Sequence, residues 1–330
     1  MRLEAIYLLL KKDLDATETH ITSILSTMSS TSFSKSVLEY VISMKGKMLR
    51  PILVFLSTRL LFPDLRDDEY SKLLDVVSAV EIIHMASLVH DDVIDEAKFR
   101  RGKISLNEKY GNDVAVTMGV YLYSISLKLI ARTESVPCLS ELSDTVKEMC
   151  EGEFLQYVGR QSLTYSMDDY FSIIYSKTAV LFKSACISGI RLFNGKDSDC
   201  EQLTQFALSL GEAYQLTDDY LDCFGSEKDL NKDVGQDIVQ GQLTLPMIKV
   251  LESLDKKDQA RVLEGIRQKD ISCLSILKEK LHDSHIKDEV YGIISSKIDA
   301  SKTALSRLPQ NKYNEALASL ADFVFSRISN

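Results

Sequence analysis

The 330-residue chain is 45% hydrophobic and 26% charged, ordinary for a globular protein, which excludes collagen-like, disordered and small disulfide-rich classes. Its 39 basic and 48 acidic residues give a formal charge of −9, which argues against a generic nucleic-acid binder. Only 14 glycines and 5 prolines occur, roughly half the usual share, so the chain has few places to turn and long helices are favoured.

Taken in chain order, the apolar periodicity predicts helices near 2–27, 34–44, 51–62, 67–95, 112–132, 136–163, 168–193, 197–225, 243–253, 256–282, 285–307 and 311–327. The opening segment carries a short apolar run, AIYLLL, with charges directly behind it, unlike a secretory or transit signal. The most apolar uncharged run, 114–127, is shorter than the roughly 18 residues of a membrane span. A soluble, cytoplasmic protein is expected. The longest irregular stretch, 225–244, contains Asn231, Gly235 and Gly241 and reads as a loop over a site. No linker, tandem repeat or sustained strand alternation interrupts the pattern, so residues 1–330 read as one all-α domain. The six cysteines never approach CxxC spacing, which predicts buried free thiols in a reducing compartment rather than a zinc site.

Two acidic segments stand out, HDDVID with Asp91, Asp92 and Asp95, and TDDYLD with Asp218, Asp219 and Asp222. Helix positions i and i+4 share a face, separated by about 6 Å of rise. Asp91 with Asp95, and Asp218 with Asp222, therefore each form a two-carboxylate claw. Both claws follow apolar helical stretches, so both fall at helix C-terminal regions, where acids oppose the helix dipole and a bound cation relieves the conflict. Carboxylate oxygens without His or Cys suit Mg²⁺, which takes a few carboxylates plus water and substrate phosphates. Leading up to the first claw, Leu74, Val77, Glu81, His84 and Leu88 climb one helix face and suggest a pocket wall with charge at its rim.

Basic residues supply the complement. KGKMLRP places Lys47 and Arg50 three apart before a plausible helix start, and Arg100, Arg101 and Lys103 follow the first claw. Arginine offers bidentate geometry to diphosphate oxygens and lysine a point charge.

The segments KGKMLRP, EIIHMASLVHDDVIDEAKFRRGK, EGEFLQ, YSKTAVLF, YQLTDDYLD and KDVGQDIVQGQLTLP, followed by YNEALASLADFVFSR, resemble in content and order those of the trans-isoprenyl diphosphate synthases, the polyprenyl synthetase family. The resemblance implies a bundle of antiparallel helices around a deep central cavity, usually in a homodimer. It implies that Asp91 and Asp95 hold two Mg²⁺ and Asp218 a third, with Asp92, Asp219 and Asp222 in support. Lys47, Arg50, His84 and Arg101 match residues that hold isopentenyl diphosphate. Arg100, Lys177, Thr178, Gln215 and Lys232 match those around the allylic diphosphate and the reacting carbons. The implied product is a long all-trans polyprenyl diphosphate, C30 to C50, for a quinone side chain, with at most transient membrane contact at release. Small residues at Ala86 and Ser87, where bulky aromatics in the family give short products, carry the chain-length expectation.

Two positions depart from the family pattern. Gly241-Gln242 stands where a second lysine is usual, and Gly119-Val120 stands in place of Gly-Asp. Two alternatives stay open: a C15 or C20 synthase of the same chemistry and, motivated by Gln242 and Val120, a catalytically weak regulatory subunit of a heteromeric synthase. A terpene cyclase needs no isopentenyl site, and Lys47, Arg50, His84 and Arg101 argue against it.

Overall fold

The computed structural model describes residues 3–44, 46–162, 166–225, 243–268, 277, 280–281 and 284–328. In chain order the elements are α1 Leu3–Leu9, α2 Lys11–Met28, α3 Ser32–Ser43, α4 Leu49–Leu61, α5 Asp67–Ile94, a hairpin of β1 Phe99–Arg100 and β2 Lys103–Ile104, α6 Leu106–Tyr110, α7 Asn112–Arg132 and α8 Val136–Ser162. There follow α9 Met167–Ile174, a π-helical turn Tyr175–Ala179, α10 Val180–Leu192, α11 Asp197–Phe224, α12 Leu245–Ser253, α13 Lys256–Arg267, α14 Ser284–Leu305 and α15 Lys312–Ser326. The class is all-α, as expected. Most helices fall within two residues of their predicted bounds. The segment 2–27 is broken at Leu10, and the π turn divides 168–193. The hairpin and α6 were not expected.

The described residues gather into two compact units, and each has its own core. The first comprises Met1–Val146, Leu181–Thr204 and Leu308–Ser319. Its α4, LRPILVFLSTRLL, is apolar on every side, which only enclosure satisfies. Pro51 through Thr58 and Leu60 are accordingly buried. The helix α5 starts on a capping box, with Arg66 N donating to Glu69 Oε2 at 3.0 Å, and three acids in its first turn favour the dipole. It lies along α7, where His90 Nε2 donates to the Val116 carbonyl at 3.1 Å. A Cβ on Gly119 would fall 2.0 Å from that Nε2, so only glycine lets the two helices meet there. Val120, one residue on, points outward at 58% exposure beside Val116 and Leu127 at 45% and 51%. The departure from aspartate therefore falls at an outward-facing position of this unit.

The second unit comprises Lys147–Val180, Gln205–Arg307 and Leu320–Asn330. Its core joins Tyr170 and Ile174 of α9 to Leu216 and Tyr220 of α11, with side chains of α12, α13 and α14 and with Leu243, Leu277 and Leu281. Asp255 caps α13 by accepting from Lys257 N and Asp258 N, each at 2.9 Å.

Two expectations need correction. Three stretches, Asp67–Ile94, Asn112–Arg132 and Met167–Leu192, are long and apolar enough to cross a membrane by length and composition. Counting only uncharged residues was too strict, since a span tolerates a charge or two; in the fold, 67%, 44% and 72% of these windows are buried. Among the cysteines, Cys138, Cys186 and Cys200 are buried, and burial pushes the Cys138 and Cys186 thiols up to about 12. Cys150 is exposed, Cys223 is half-buried at the edge of the second unit's core, and Cys273 lies outside the described residues.

Candidate active site

In the first unit, α5 ends at Ile94 and Asp95 is its C-cap, with Asp95 N donating to Asp91 O at 2.8 Å. The claw thus sits at the negative end of the helix. Asp91 and Asp95 are half-buried, whereas Asp92 is 1% exposed. Arg100 Nε and Nη2 both donate to Asp92 Oδ1, at 2.8 and 2.5 Å. Burial nonetheless raises the Asp92 carboxyl above its ordinary range, the guanidinium only partly opposing it. Arg100, expected near the allylic diphosphate, is engaged here with the middle aspartate of the claw.

FRRGK folds as a tight two-residue hairpin, Phe99 opposite Ile104 and Arg100 opposite Lys103. Its turn needs positive φ at both Arg101 (52°) and Gly102 (76°). The turn presents Arg101 to the KGKMLRP segment, where Nη1 donates to Met44 O at 2.8 Å. A Cβ on Gly46 would lie 2.6 Å from that guanidinium, which explains the glycine between the two lysines. Lys103 Nζ donates to Ser43 O at 2.9 Å and fastens the same junction.

Beside this junction lies a cavity of about 60 Å³ whose wall includes Gly46, Met48, Glu81, His84, Arg100 and Arg101. The predicted stripe on α5 is thus a pocket wall in part; Asp92, not Asp91, marks its rim. His84 is held well below its ordinary pKa by burial, then by Arg50, Arg101 and Arg100, so its ring is neutral. The Glu81 carboxyl is raised by burial against the pull of Arg50 and Arg101. Arg50 stacks its guanidinium 5.3 Å above the Phe182 ring. Lys47 is exposed on the preceding loop, its carbonyl accepting from the Tyr7 hydroxyl at 2.5 Å. The structure therefore groups Arg50, His84 and Arg101, and leaves Lys47 facing solvent.

Ala86 is fully buried and Ser87 half-buried, its hydroxyl donating to His84 O at 2.9 Å. Ser87 shares the Asp91 face at i−4, whereas Ala86 shares the face of His90, which packs on α7. The two candidate chain-length positions thus point in different directions.

In the second unit, Lys177 lies in the π turn, an irregularity frequent at functional sites. Its Nζ pairs with Glu153 Oε1 and donates to Gln156 Oε1, both at 2.7 Å and both from the EGEFLQ segment. The Thr178 hydroxyl donates to Gln215 Oε1 at 2.9 Å, and Gln215 Nε2 donates to Asp219 Oδ1 at 2.9 Å. Tyr170 donates to the other Asp219 oxygen at 2.5 Å. Asp219 is 5% exposed, and Asp218 and Asp222 are half-buried. Arg327, just beyond α15, pairs with Asp218 Oδ1 at 2.6 Å. Lys232, Gly241 and Gln242 lie outside the described residues.

Among the described residues, no three His, Cys, Asp or Glu side chains converge into a ready metal cage. What exists is carboxylate pairs at helix C-termini, one of which already draws a cation in the form of Arg327. All-oxygen pairs completed by water and diphosphate oxygens match the way Mg²⁺ is bound. Asp91, Asp95 and Asp218, which are half-buried, fit that role better than Asp92 and Asp219, which are buried against Arg100 and against Tyr170 and Gln215.

Glu153, Gln156, Tyr170 and Arg327 were not singled out from sequence, and Glu81 was read only as one position of the stripe on α5. Glu153, Gln156 and Arg327 stand in segments that carried the resemblance, and their spacing to Lys177 or Asp218 is visible only after folding. A core tyrosine has no pattern of its own.

Residues 32–283 match the polyprenyl synthetase family. The chain is 33% identical over 289 residues to the octaprenyl diphosphate synthase of Haemophilus influenzae, covering 86% of this chain and 84% of that one. It is 30% identical over 293 residues to a short chain isoprenyl diphosphate synthase of Methanothermobacter thermautotrophicus, covering 88% and 89%. The crystal structure of a polyprenyl synthase from Caulobacter crescentus, complexed with calcium and isoprenyl diphosphate, superposes with a TM-score of 0.88 at 30% identity, over 98% and 97% of the two chains. The chain belongs to the polyprenyl synthetase family.

Proposed function

We propose that the protein is a Mg²⁺-dependent prenyltransferase that adds isopentenyl diphosphate head-to-tail to an allylic diphosphate and releases an all-trans polyprenyl diphosphate of C30 to C50. The observation that carries this reading is the division of labour in both acidic segments. In each, the middle aspartate is buried and engaged, while the outer two remain half-buried at a helix C-terminus. Mg²⁺ held by Asp91, Asp95 and Asp218, three ions in all, would supply positive charge against the departing diphosphate. Arg50, neutral His84 and Arg101, with Lys47 from the loop, would grip isopentenyl diphosphate. Lys177 and Lys232 would hold the allylic diphosphate, with Arg100 joining from Asp92. Thr178 and Gln215 would turn fixed dipoles toward the allylic carbon as its C–O bond breaks and the isopentenyl double bond attacks. A proton is then lost to the departed diphosphate.

The match of residues 32–283 as one span supports treating 1–330 as a single synthase domain. The outward apolar face of α7 supports a homodimer. A short-chain product is the second reading, favoured by enclosed Ala86, which packs toward α7 and so opens no path by being small.

Incubation with Mg²⁺, labelled isopentenyl diphosphate and C10, C15 or C20 primers tests both. Chromatography of the dephosphorylated products should show C30 or longer; products ending at C20 would establish the second reading. Asp91→Ala or Asp218→Ala should lower turnover by about 10²–10³, the usual cost of losing a charge-stabilising group. Turnover undiminished in EDTA would sink the mechanism.

A further inference from the structure

The second unit contains a hydrogen-bonded chain that the reaction uses at one end only. At that end the Thr178 hydroxyl donates to Gln215 Oε1 at 2.9 Å. Gln215 Nε2 then donates to Asp219 Oδ1 at 2.9 Å, and the Tyr170 hydroxyl donates to Asp219 Oδ2 at 2.5 Å. Tyr170 and Asp219 are 4% and 5% exposed, so water does not substitute for either bond.

Each link removes one freedom. A glutamine amide has two nearly equivalent orientations that exchange its oxygen and nitrogen. Asp219 accepts from Tyr170 at one oxygen and from the Gln215 NH₂ at the other, which turns that NH₂ toward Asp219 and the amide oxygen toward Thr178. A carboxylate held by one hydrogen bond would still swing about its own terminal torsion. Tyr170 removes that swing by donating to the second oxygen. Its ring is fixed in turn by the core and by an edge-on contact with Phe171, centroids 5.5 Å apart.

We infer that Tyr170 is a positioning residue, which through Asp219 holds the Gln215 amide and the Thr178 hydroxyl in one orientation, and that Asp219 anchors this relay instead of ligating Mg²⁺. The inference rests on the prenyl-transfer reading above. It gives Tyr170 a part in turnover without contact with substrate, and it separates the two adjacent aspartates of TDDYLD by task.

A double-mutant cycle on turnover tests the relay. Tyr170→Phe keeps the ring and deletes only the donor. It should lower kcat about tenfold, the scale of one well-placed polar interaction, with both KM values within twofold. In a Gln215→Met background, where the relay is already cut, the same change should cost less than about twofold. Additive effects in the cycle would overturn the relay, as would an unchanged kcat in Tyr170→Phe. Should Tyr170→Phe fail to fold, Asp219→Asn takes its place in the cycle, because an amide cannot accept at both ends. Metal binding gives a readout apart from activity. With inorganic pyrophosphate, the number of Mn²⁺ ions counted by electron paramagnetic resonance should be unchanged in Asp219→Asn and lower by one in Asp218→Asn. Loss of an ion in both would make Asp219 a ligand and end the assignment. A wild-type protein that condenses no primer would instead defeat the reading beneath the inference; an active wild type with an additive cycle defeats the relay alone.

Discussion

Asp92 and Asp219 occupy the same place in two copies of one short pattern, and both are withdrawn from solvent, one onto Arg100 and the other between Tyr170 and Gln215. Glu81 is also a buried acid, 6% exposed, and its Oε2 finds no hydrogen-bond partner among the described groups. Burial raises its carboxyl pKa above the unfolded value. Such a group binds its proton more readily folded than unfolded, so it weakens the fold once pH rises past its unfolded pKa and ceases to do so in acid. Glu81→Gln should therefore raise the melting temperature at pH 8 by about 2–4 °C, and the gain should shrink by pH 4.5. A gain independent of pH would mean that the charge is not the cause. Gly46→Ala tests the neighbouring contact. A methyl group there displaces the far end of Arg101, so the KM for isopentenyl diphosphate should rise about tenfold, worth about 1.4 kcal/mol. The allylic KM and the melting temperature should hardly move, and equal changes in both KM values would place Arg101 elsewhere.

At the scale of elements, the chemistry-bearing segments coincide with breaks in regular structure. FRRGK is a hairpin turn with a non-glycine residue at positive φ, and YSKTA is a π turn, whereas periodicity reads both as plain loop or helix. The helix α5 is the exception, since its register was readable from Glu81 to Asp95. That register makes a prediction about product length. Ser87 lies one turn below Asp91 on the same face and is half-buried, so Ser87→Phe should shorten the product to C15 or C20 with turnover retained. Ala86→Phe should shorten it too if Ala86 borders the tail, but enclosure against α7 adds an overpacking cost of about 1–3 kcal/mol. Chromatography and a melting curve on each variant separate these effects. Long product from Ser87→Phe would move the floor of the cavity deeper than α5.

For the whole molecule, the open question is what covers α7. Only 44% of its apolar window is buried, against 67% for α5, and Val116, Val120 and Leu127 stand outward. A second copy of the chain would satisfy that face. Val116→Asp with Leu127→Asp should convert a dimer to monomers in sedimentation velocity while leaving the circular dichroism of the helices unchanged. A dimer that persists would assign the face to another partner. Val120, 58% exposed, lies on the same outward surface.

Much of this protein follows from its sequence alone. Few glycines and prolines, with apolar residues three and four apart, specify helices and most of their ends, because those rules are local. The claws Asp91/Asp95 and Asp218/Asp222 were visible for the same reason, being i, i+4 pairs on single helices. Tertiary structure alone decided which aspartates are buried. Asp92 and Asp219 look no different from their neighbours in the sequence, and they differ only because Arg100 on a hairpin and Tyr170 on α9 are brought against them. The same holds for Glu81 beside the charges of Arg50 and Arg101, for Lys177 between Glu153 and Gln156, and for Gly46 beneath Arg101. These are contacts between residues up to 55 positions apart, and desolvation and hydrogen-bond geometry act only once the chain has closed those separations.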